Sequence, residues 1–208
     1  MYISENQADN TNTSHSAWEI DSAMDYTAHY ESPLGGITLG SDGKALIGLW
    51  FDGQKHFANV LDPVHEKCSD LPVFRETCRW LDEYFRGRKP QFTPPFVLRG
   101  SDFRKRVWQR LLNIPYGQTV TYGQLASSLG CKSAQAIGTA VGHNPLTLII
   151  PCHRVVGTIG SLTGYAGGID KKVQLLQMEG ALMHDLKAIP HSDKWEFNQL
   201  LISNILHL

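Results

Sequence analysis

The chain of 208 residues lacks several features that would assign it at once to a broad protein class. It contains no apolar run of about 18 residues, so no transmembrane helix is expected. The polar N-terminal stretch MYISENQADNTNTSHS has neither the basic nor the apolar region of a secretory signal. No two of its four cysteines form a CxxC pair, which argues against a zinc ribbon or a thioredoxin-type site. We therefore expect a cytoplasmic protein with no membrane partner and no bound metal.

The composition is that of an ordinary globular protein, with 42% apolar and 19% charged residues. The charge, however, is unevenly distributed. Residues 101–180 contain eight basic and three acidic residues, although the whole chain has a net charge of −1. A basic C-terminal half on an otherwise acidic chain favours a polyanionic partner, and chance variation in charge is the alternative.

The N-terminal half combines a strand pattern with one helix pattern. Residues 26–51 alternate and are interrupted by a turn signal at 41–43, which predicts two or three antiparallel strands. The stretch DLPVFRETCRWLDEYFRG predicts a helix between Pro72 and Gly87. One face of this helix would carry its core-facing residues, Phe74, Thr77, Cys78, Leu81, Tyr84 and Phe85. The Pro-rich segment KPQFTPPFVLRG predicts a domain boundary near residues 95–100. The predicted parts are a polar flexible tail (1–24), an N-terminal domain (25–98), a C-terminal domain (99–182) and an extension (183–208).

The C-terminal half has the pattern of a helix-turn-helix. Thr121 can cap a short helix, YGQLASSL, which Gly130 ends, and a second helix, SAQAIGTAVG, follows closely. Small residues occupy alternate positions of the second helix: Ala134, Ala136, Gly138, Ala140 and Gly142. Two glycines within a helix are unfavourable unless something approaches closely. That neighbour is either another helix or a nucleic-acid backbone.

The segment LTLIIPCHRVVG places Cys152, His153 and Arg154 directly behind an apolar strand. A free thiol is mostly protonated at neutral pH, so a nucleophilic cysteine needs a base or a positive environment. Neighbouring side chains on an extended strand point to opposite faces, so contact between Cys152 and His153 requires a turn after Pro151 or a bridging water. From these residues alone, Cys152 is either a structural thiol or a nucleophile. The other cysteines, Cys68, Cys78 and Cys131, are predicted to be buried small hydrophobic residues.

Four sequence blocks together resemble the O6-alkylguanine-DNA alkyltransferases, also called methylated-DNA–protein-cysteine methyltransferases. The blocks are IPYGQTVTYGQLA, AIGTAVGHNP, IPCHRVVG and SLTGYAGGIDKKVQLLQMEG, within residues 101–180. The resemblance implies an α+β fold, with an N-terminal ribonuclease-H-like antiparallel sheet and helix and a C-terminal winged helix-turn-helix DNA-binding domain. It also implies a monomer that needs no cofactor. Such a protein flips O6-alkylguanine out of duplex DNA and transfers the alkyl group irreversibly to its own cysteine in a single turnover. Activity on O4-methylthymine is left open.

The resemblance also assigns catalytic roles to individual residues. Cys152 matches the alkyl acceptor, His153 the base that takes the thiol proton through water, and Glu179 the acid that orients this histidine. Tyr122 matches the residue that gives a proton to the leaving guanine. Asn144 matches the turn residue between the recognition helix and the active-site strand.

Further residues are implied in DNA binding and in the substrate pocket. The DNA-binding set is Thr121, Ser133, Gln135, Ala136 and Arg154. For Arg154 both a phosphate contact and a structural salt bridge remain open. The pocket set is Pro151, Val155, Tyr165 and Ala166. In this set the Ala166 N–H is expected to donate to guanine O6, and the Val155 carbonyl to accept from the exocyclic amine.

One departure and two rival functions qualify the resemblance. Many family members carry an arginine where this chain has Gln135, so we expect base flipping to survive with lower DNA affinity. The rivals are a papain-type cysteine hydrolase and a transcription factor with an inert thiol. The apolar positions of KWEFNQLLISNILHL, at residues 194–208, predict either a packed helix or an interaction segment.

Overall fold

The computed structural model describes residues 24–181 and 187–188. The N-terminal half contains β1 (Asp25–Ser32), β2 (Gly35–Ser41), β3 (Leu46–Phe51), β4 (His65–Lys67) and α1 (Pro72–Phe85). The C-terminal half contains α2 (Asp102–Leu111), β5 (Val120–Thr121), α3 (Tyr122–Ser128), α4 (Ala134–Gly142), β6 (Val155–Val156), β7 (Ser161–Leu162), α5 (Ile169–Met178) and β8 (Lys187–Ala188). Short 3₁₀ turns span Cys152–Arg154 and Thr158–Gly160. The predicted tail and extension lie outside the described residues, apart from Met24 and β8.

The N-terminal sheet has the strand order β3-β2-β1-β4. Strands β1, β2 and β3 form the predicted antiparallel meander, whereas the three-residue β4 pairs parallel to β1. Every residue of β3 is buried, although β3 ends the strand order. Its open edge is covered because Leu46 pairs with the chain at Phe96 and Leu49 pairs with the chain at Leu146. The first partner precedes the C-terminal half, and the second belongs to it.

Helix α1 confirms the predicted helix and most of its apolar face. Pro72 occupies the first turn, where its missing N–H is tolerated, and the chain reverses through Gly87 at φ 71°. The buried residues are Val73, Phe74, Thr77, Trp80, Leu81, Tyr84 and Phe85. The prediction of full burial was wrong for Cys68, Cys78 and Cys131, which are only partly buried because they lie at the margin of the core.

Helices α2, α3 and α4 of the C-terminal half begin at side-chain caps, whereas α5 begins at Gly168 without one. Thr121 accepts from the Gln124 N–H while the Gln124 side chain accepts from the Thr121 N–H, which is a complete capping box at the start of α3. Ser133 caps α4 by accepting from the Ala136 N–H at 3.1 Å. The loop between the two helices turns at Gly130, with φ 61°. The two short helices therefore lie as the helix-turn-helix pattern predicts.

Tight helix packing does not explain the glycines of α4. Among the described residues, a Cβ added at Gly142 would meet nothing within 4 Å, and one at Gly138 would touch only the Tyr122 ring, at 4.0 Å. The close contact in α4 is on its other side, where Trp108 Nε1 donates to the Ala140 carbonyl at 2.8 Å. Within the described residues no other helix fills the space at these glycines, and close approach of a nucleic-acid backbone stays a prediction.

The two halves share one hydrophobic core, and hydrogen bonds join them beside the candidate site. The Leu49 N–H donates to the Pro145 carbonyl at 2.8 Å, and the Thr147 N–H donates back to the Leu49 carbonyl at 2.9 Å. The architecture confirms the predicted α+β class, with the sheet and α1 first and the helical half second. Within the described part of the chain, no helix is long and apolar enough to cross a bilayer.

Candidate active site

Asn144 shapes the segment that carries Cys152. Its Nδ2 donates to the Ile150 carbonyl at 2.7 Å and to Cys152 Sγ at 3.1 Å, while its Oδ1 accepts from the Leu146 N–H at 3.0 Å. The side chains of Asn144, Ile150 and Cys152 are all buried, and Cys152 is only 4% exposed. The chain then enters the 3₁₀ turn directly after Pro151. The Asn144 amide therefore binds the backbone at both Leu146 and Ile150 and also one lone pair of the thiol sulfur.

His153 is fully buried, and its ring has one bonded and one unbonded nitrogen. Nε2 lies 2.8 Å from Glu179 Oε1, whereas Nδ1 has no hydrogen-bond partner among the described residues. A carboxylate only accepts, so Nε2 must carry the proton and Nδ1 presents its lone pair. Burial lowers the pKa of His153 below its usual value, although Glu179 opposes this effect. The neutral ring is therefore prepared to take a proton at Nδ1.

Glu179 is the centre of a buried network that spans both halves of the molecule. Oε1 accepts from the Tyr84 hydroxyl at 2.7 Å and from Arg154 Nη2 at 2.9 Å. Oε2 accepts from Arg154 Nε at 2.7 Å and from the Gly117 N–H at 3.2 Å. Burial alone would raise the pKa of Glu179, but the hydrogen bonds from His153 and Arg154 hold it well below its usual value. The carboxylate is therefore ionised at any working pH.

Of the two roles left open for Arg154, the structure shows the structural salt bridge, with Glu179. Its guanidinium is buried against Glu179, donates from Nη1 to the Ile114 carbonyl at 2.7 Å, and lies over the Tyr116 ring. Its Nε, Nη1 and Nη2 atoms each donate to a group inside the protein, which gives the side chain a structural role. The salt-bridge alternative is the one that the structure has.

Lys172 is a residue of the site that the sequence did not single out. Its Nζ donates to the Val155 carbonyl at 2.6 Å and to the Thr163 carbonyl at 2.8 Å. Burial lowers the pKa of Lys172 to about 8. Burial raises the pKa of the Cys152 thiol, while the Asn144 hydrogen bond and the positive charge of Lys172 lower it. The sequence did contain a signal for this burial. Lys172 precedes Leu175 and Leu176 by three and four positions, so it lies on the apolar face of the helix.

An open groove of about 780 Å³ lies beside this buried cluster, because Tyr165 in its lining has its ring centroid 6.4 Å from that of His153. Its lining includes Tyr122, Gln135, Tyr165 and Ala166 from the predicted set, whereas Pro151 and Val155 are buried. The Tyr122 hydroxyl donates to the Gly164 carbonyl at 3.0 Å. Burial, together with the nearby Cys152, raises the pKa of Tyr122 to about 12, so this phenol keeps its proton.

The predicted DNA-binding residues of the helix-turn-helix lie at the start of its helices. Gln135 is exposed and borders both the main groove and a second one of about 380 Å³. Ser133 and Ala136 line the second groove, while the hydroxyls of Thr121 and Ser133 serve as caps. In the described part of the chain, no three His, Cys, Asp or Glu side chains converge where they could hold a metal ion.

Comparison with known families matches almost the whole described chain. The model described as "6-O-methylguanine DNA methyltransferase, ribonuclease-like domain" matches residues 26–98, and the one described as "6-O-methylguanine DNA methyltransferase, DNA binding domain" matches residues 102–181. The chain belongs to this family. The two matched ranges correspond to the N-terminal and C-terminal halves of the fold.

Curated relatives named methylated-DNA–protein-cysteine methyltransferase show similar identity across distant organisms. The protein of Mycobacterium tuberculosis strain H37Rv is 41% identical over 156 residues, which is 73% of this chain and 92% of the relative. That of Methanosarcina acetivorans is 42% identical over 157 residues, which is 75% of this chain and 99% of the relative. That of Haemophilus influenzae is 37% identical over 171 residues, or 81% and 89%.

Solved structures agree with these relatives. The Mycobacterium tuberculosis OGT in complex with DNA superposes with a TM-score of 0.66 at 40% identity, covering 76% of this chain and 92% of the other. An O6-methylguanine DNA methyltransferase from Methanococcus jannaschii superposes with a TM-score of 0.55 at 26% identity, covering 83% and 98%.

Proposed function

We propose that this protein repairs alkylated DNA by moving the alkyl group from guanine O6 to the sulfur of its own Cys152. The observation that carries the proposal is the arrangement at the site. Asn144 holds the thiol of Cys152, and the next residue in sequence is the neutral His153. Nε2 of this histidine bonds to the ionised Glu179, while Nδ1, on the other side of the ring, has no partner among the described residues. The proposal is supported by the helix-turn-helix at the mouth of the groove and by relatives that bear the corresponding name.

The transfer is a displacement in which all protons are accounted for. Cys152 Sγ forms a bond to the alkyl carbon as the bond from that carbon to guanine O6 breaks. The thiol proton passes through a water to Nδ1 of His153, whose positive charge Glu179 then stabilises. The leaving guanine takes a proton from the Tyr122 hydroxyl, and solvent returns the proton of His153 to Tyr122. The net products are guanine and an S-alkyl cysteine.

Recognition of the flipped base falls to the pocket loop, residues 163–166, which lines the groove. In this proposal the Ala166 N–H donates to guanine O6, and the Val155 carbonyl accepts from the exocyclic amine. The ammonium group of Lys172 donates to the carbonyls of both Val155 and Thr163. It therefore fixes these two sides of the pocket relative to each other. Lys172 is thus a positioning residue, and its charge also favours the thiolate.

The DNA surface is the face of α4 that carries Gln135 and the two open glycines. Small residues there let the helix approach the duplex closely, while Gln135 donates to the base left unpaired by flipping. The substrate is therefore duplex DNA that contains O6-alkylguanine, and the acting species is a monomer.

A titration of active sites tests this proposal against the hydrolase alternative. Increasing amounts of duplex with one O6-methylguanine are incubated with a fixed amount of protein, and restored guanine is counted. A thioether has no easy route of hydrolysis, so restored guanine should level off at one per protein. Continued release beyond one per protein would indicate a turning-over enzyme and would contradict the proposal. No restoration, with DNA still bound, would favour a recognition protein with an inert thiol.

A further inference from the structure

The turn after β3, residues 52–58, comes from the N-terminal half but reaches the groove of the C-terminal half. The Lys55 N–H donates to the Ala166 carbonyl at 3.0 Å, which ties the turn to the pocket loop. The buried Gln54 side chain accepts from the Phe51 N–H at 3.0 Å and from Thr147 Oγ1 at 3.2 Å. The turn is therefore fastened to both the pocket loop and the segment that precedes Cys152.

A pair of stacked imidazoles joins the same turn to the end of α4. The rings of His56 and His143 lie with centroids 3.6 Å apart and planes 24° from parallel. His143 Nδ1 is 2.7 Å from the Thr139 carbonyl, which fixes the orientation of its ring. His56 adopts a left-handed backbone with φ 62°, which turns its ring toward His143. This stack holds the turn in place against the helix that carries Gln135.

The side chain of Lys55 is exposed at the groove, and its charge is not neutralised locally. Among the described residues, no carboxylate forms an ion pair with Lys55, and the groove lining contains no acidic residue. Asp52, the nearest acid in the turn, instead accepts from Thr38 Oγ1 and faces His29 on the sheet. The groove wall from the N-terminal half thus offers one free ammonium group beside Tyr122 and Gln135.

We infer that Lys55 binds a phosphate of the DNA strand whose nucleotide is flipped into the groove, with the stack of His56 on His143 as its positioning device. This inference rests on the proposed function. A nucleotide that enters the groove brings its flanking phosphates to the rim, and a free ammonium there lowers the cost of crowding their charges together. The N-terminal half is then a part of the DNA site and not only a support for the other half.

Salt dependence of binding provides the test, because each phosphate contact adds a known increment. Affinity for a duplex with one O6-methylguanine is measured between 50 and 200 mM salt in a Cys152→Ser background, so that no transfer occurs. Lys55→Gln removes the ammonium but keeps the N–H that bonds to Ala166. We expect the slope of log affinity against log salt to fall by about 1 and the affinity near 0.1 M salt to fall roughly fivefold.

Lys44→Gln is the matched control. Lys44 is an exposed lysine in the turn before β3, at the far end of this six-residue strand, roughly 17 Å from the 52–58 turn. It should leave slope and affinity as in the parent. His56→Asn, which tolerates the left-handed backbone, should reduce affinity in the same direction as Lys55→Gln.

The outcomes separate this inference from the proposed function. If Lys55→Gln keeps the parent slope and affinity, Lys55 does not bind phosphate, and the inference is overturned. If only His56→Asn has no effect, the positioning role of the stack is overturned. Methyl transfer is measured in parallel with Cys152 intact. If the protein with Cys152 transfers the methyl group but Lys55→Gln leaves the salt slope unchanged, only the inference about Lys55 is refuted. If the protein with Cys152 does not transfer the methyl group, the proposed function is refuted.

Discussion

Glu179 and His153 lie 26 residues apart in sequence, yet their side chains meet at 2.8 Å in a fully buried contact. The same carboxylate also forms a two-point ion pair with Arg154, the immediate neighbour of His153. The positive charge of Arg154 neutralises Glu179, which makes burial of the carboxylate possible. The hydrogen bond that His153 Nε2 donates to the same carboxylate fixes the tautomer of the histidine. One acid at the end of α5 thereby links the stability of the site to its chemistry.

Removing this charge should therefore damage stability and transfer together. In Glu179→Gln, Arg154 is left as a buried charge without a counter-ion, so we expect a loss of about 3–5 kcal/mol in the free energy of unfolding. His153 also loses the partner that stabilises its protonated form, so the transfer rate should fall about 100-fold or more. Urea unfolding and single-turnover kinetics at pH 7 measure both quantities.

The exposed ion pair of His29 with Glu31 provides a matched control for the same substitution. Glu31→Gln should change the unfolding free energy by less than about 0.5 kcal/mol, because that pair is solvated. An equal effect of the two variants would mean that the buried network contributes no more than a surface contact.

Asn144→Ala should shift the pH dependence of transfer. The amide of Asn144 lowers the pKa of Cys152 against the opposing effect of burial, so its loss raises that pKa further. The thiolate then forms at higher pH, and the rising limb of the rate profile moves to higher pH. Loss of the bonds to the Ile150 carbonyl and the Leu146 N–H should also cost about 1–3 kcal/mol in the free energy of unfolding.

Asn113→Ala, at an exposed position after α2, is the control for Asn144→Ala. It should leave the rate profile unchanged. A profile of Asn144→Ala that coincides with the parent, despite the stability loss, would show that the amide shapes the loop but does not act on the thiol.

Gly138→Ala should affect stability and DNA binding in opposite directions. The position is helical and a Cβ there would meet only the Tyr122 ring at 4.0 Å, so alanine should stabilise the protein by about 0.5–1 kcal/mol. If the glycine serves close approach to DNA, the same methyl group weakens duplex binding. Thermal unfolding and a binding titration measure the two effects, and unchanged DNA affinity in a stabilised variant contradicts the proposed docking face.

Gln135→Arg should strengthen DNA binding. Gln135 is exposed at the groove and donates without charge, so arginine adds one positive group near the phosphates. We expect several-fold tighter binding to duplex DNA at low salt and a steeper salt dependence, measured by fluorescence anisotropy. Binding no tighter than that of the parent would argue against a DNA contact at this position.

The sequence predicted what is encoded locally. The cap at Thr121 and the apolar face of α1 follow from short-range patterns, and α1, α3 and α4 begin where those patterns indicate. The resemblance named Cys152, His153 and Glu179, and the structure brings the last two into contact. Their catalytic roles remain predictions.

Contacts that depend on the tertiary fold were not predictable from local patterns. Tyr84 was only a core position in the helix pattern, but its hydroxyl reaches Glu179 from 95 residues away. For Arg154 the sequence left a phosphate contact and a salt bridge open, because its partner Glu179 lies 25 residues away along the chain. The parallel pairing of β4 with β1 has no local signal either, since a three-residue strand carries too short a pattern.

The mass of the intact protein after reaction tests the central claim most directly. After incubation with excess duplex that contains O6-methylguanine, the account predicts one increase of about 14 Da, the mass of a methyl group replacing a proton on sulfur. Cys152→Ser should show no increase, whereas Cys131→Ser, which removes a partly buried thiol elsewhere, should react like the parent. An unmodified parent protein, or an increase that persists in Cys152→Ser, would contradict the account.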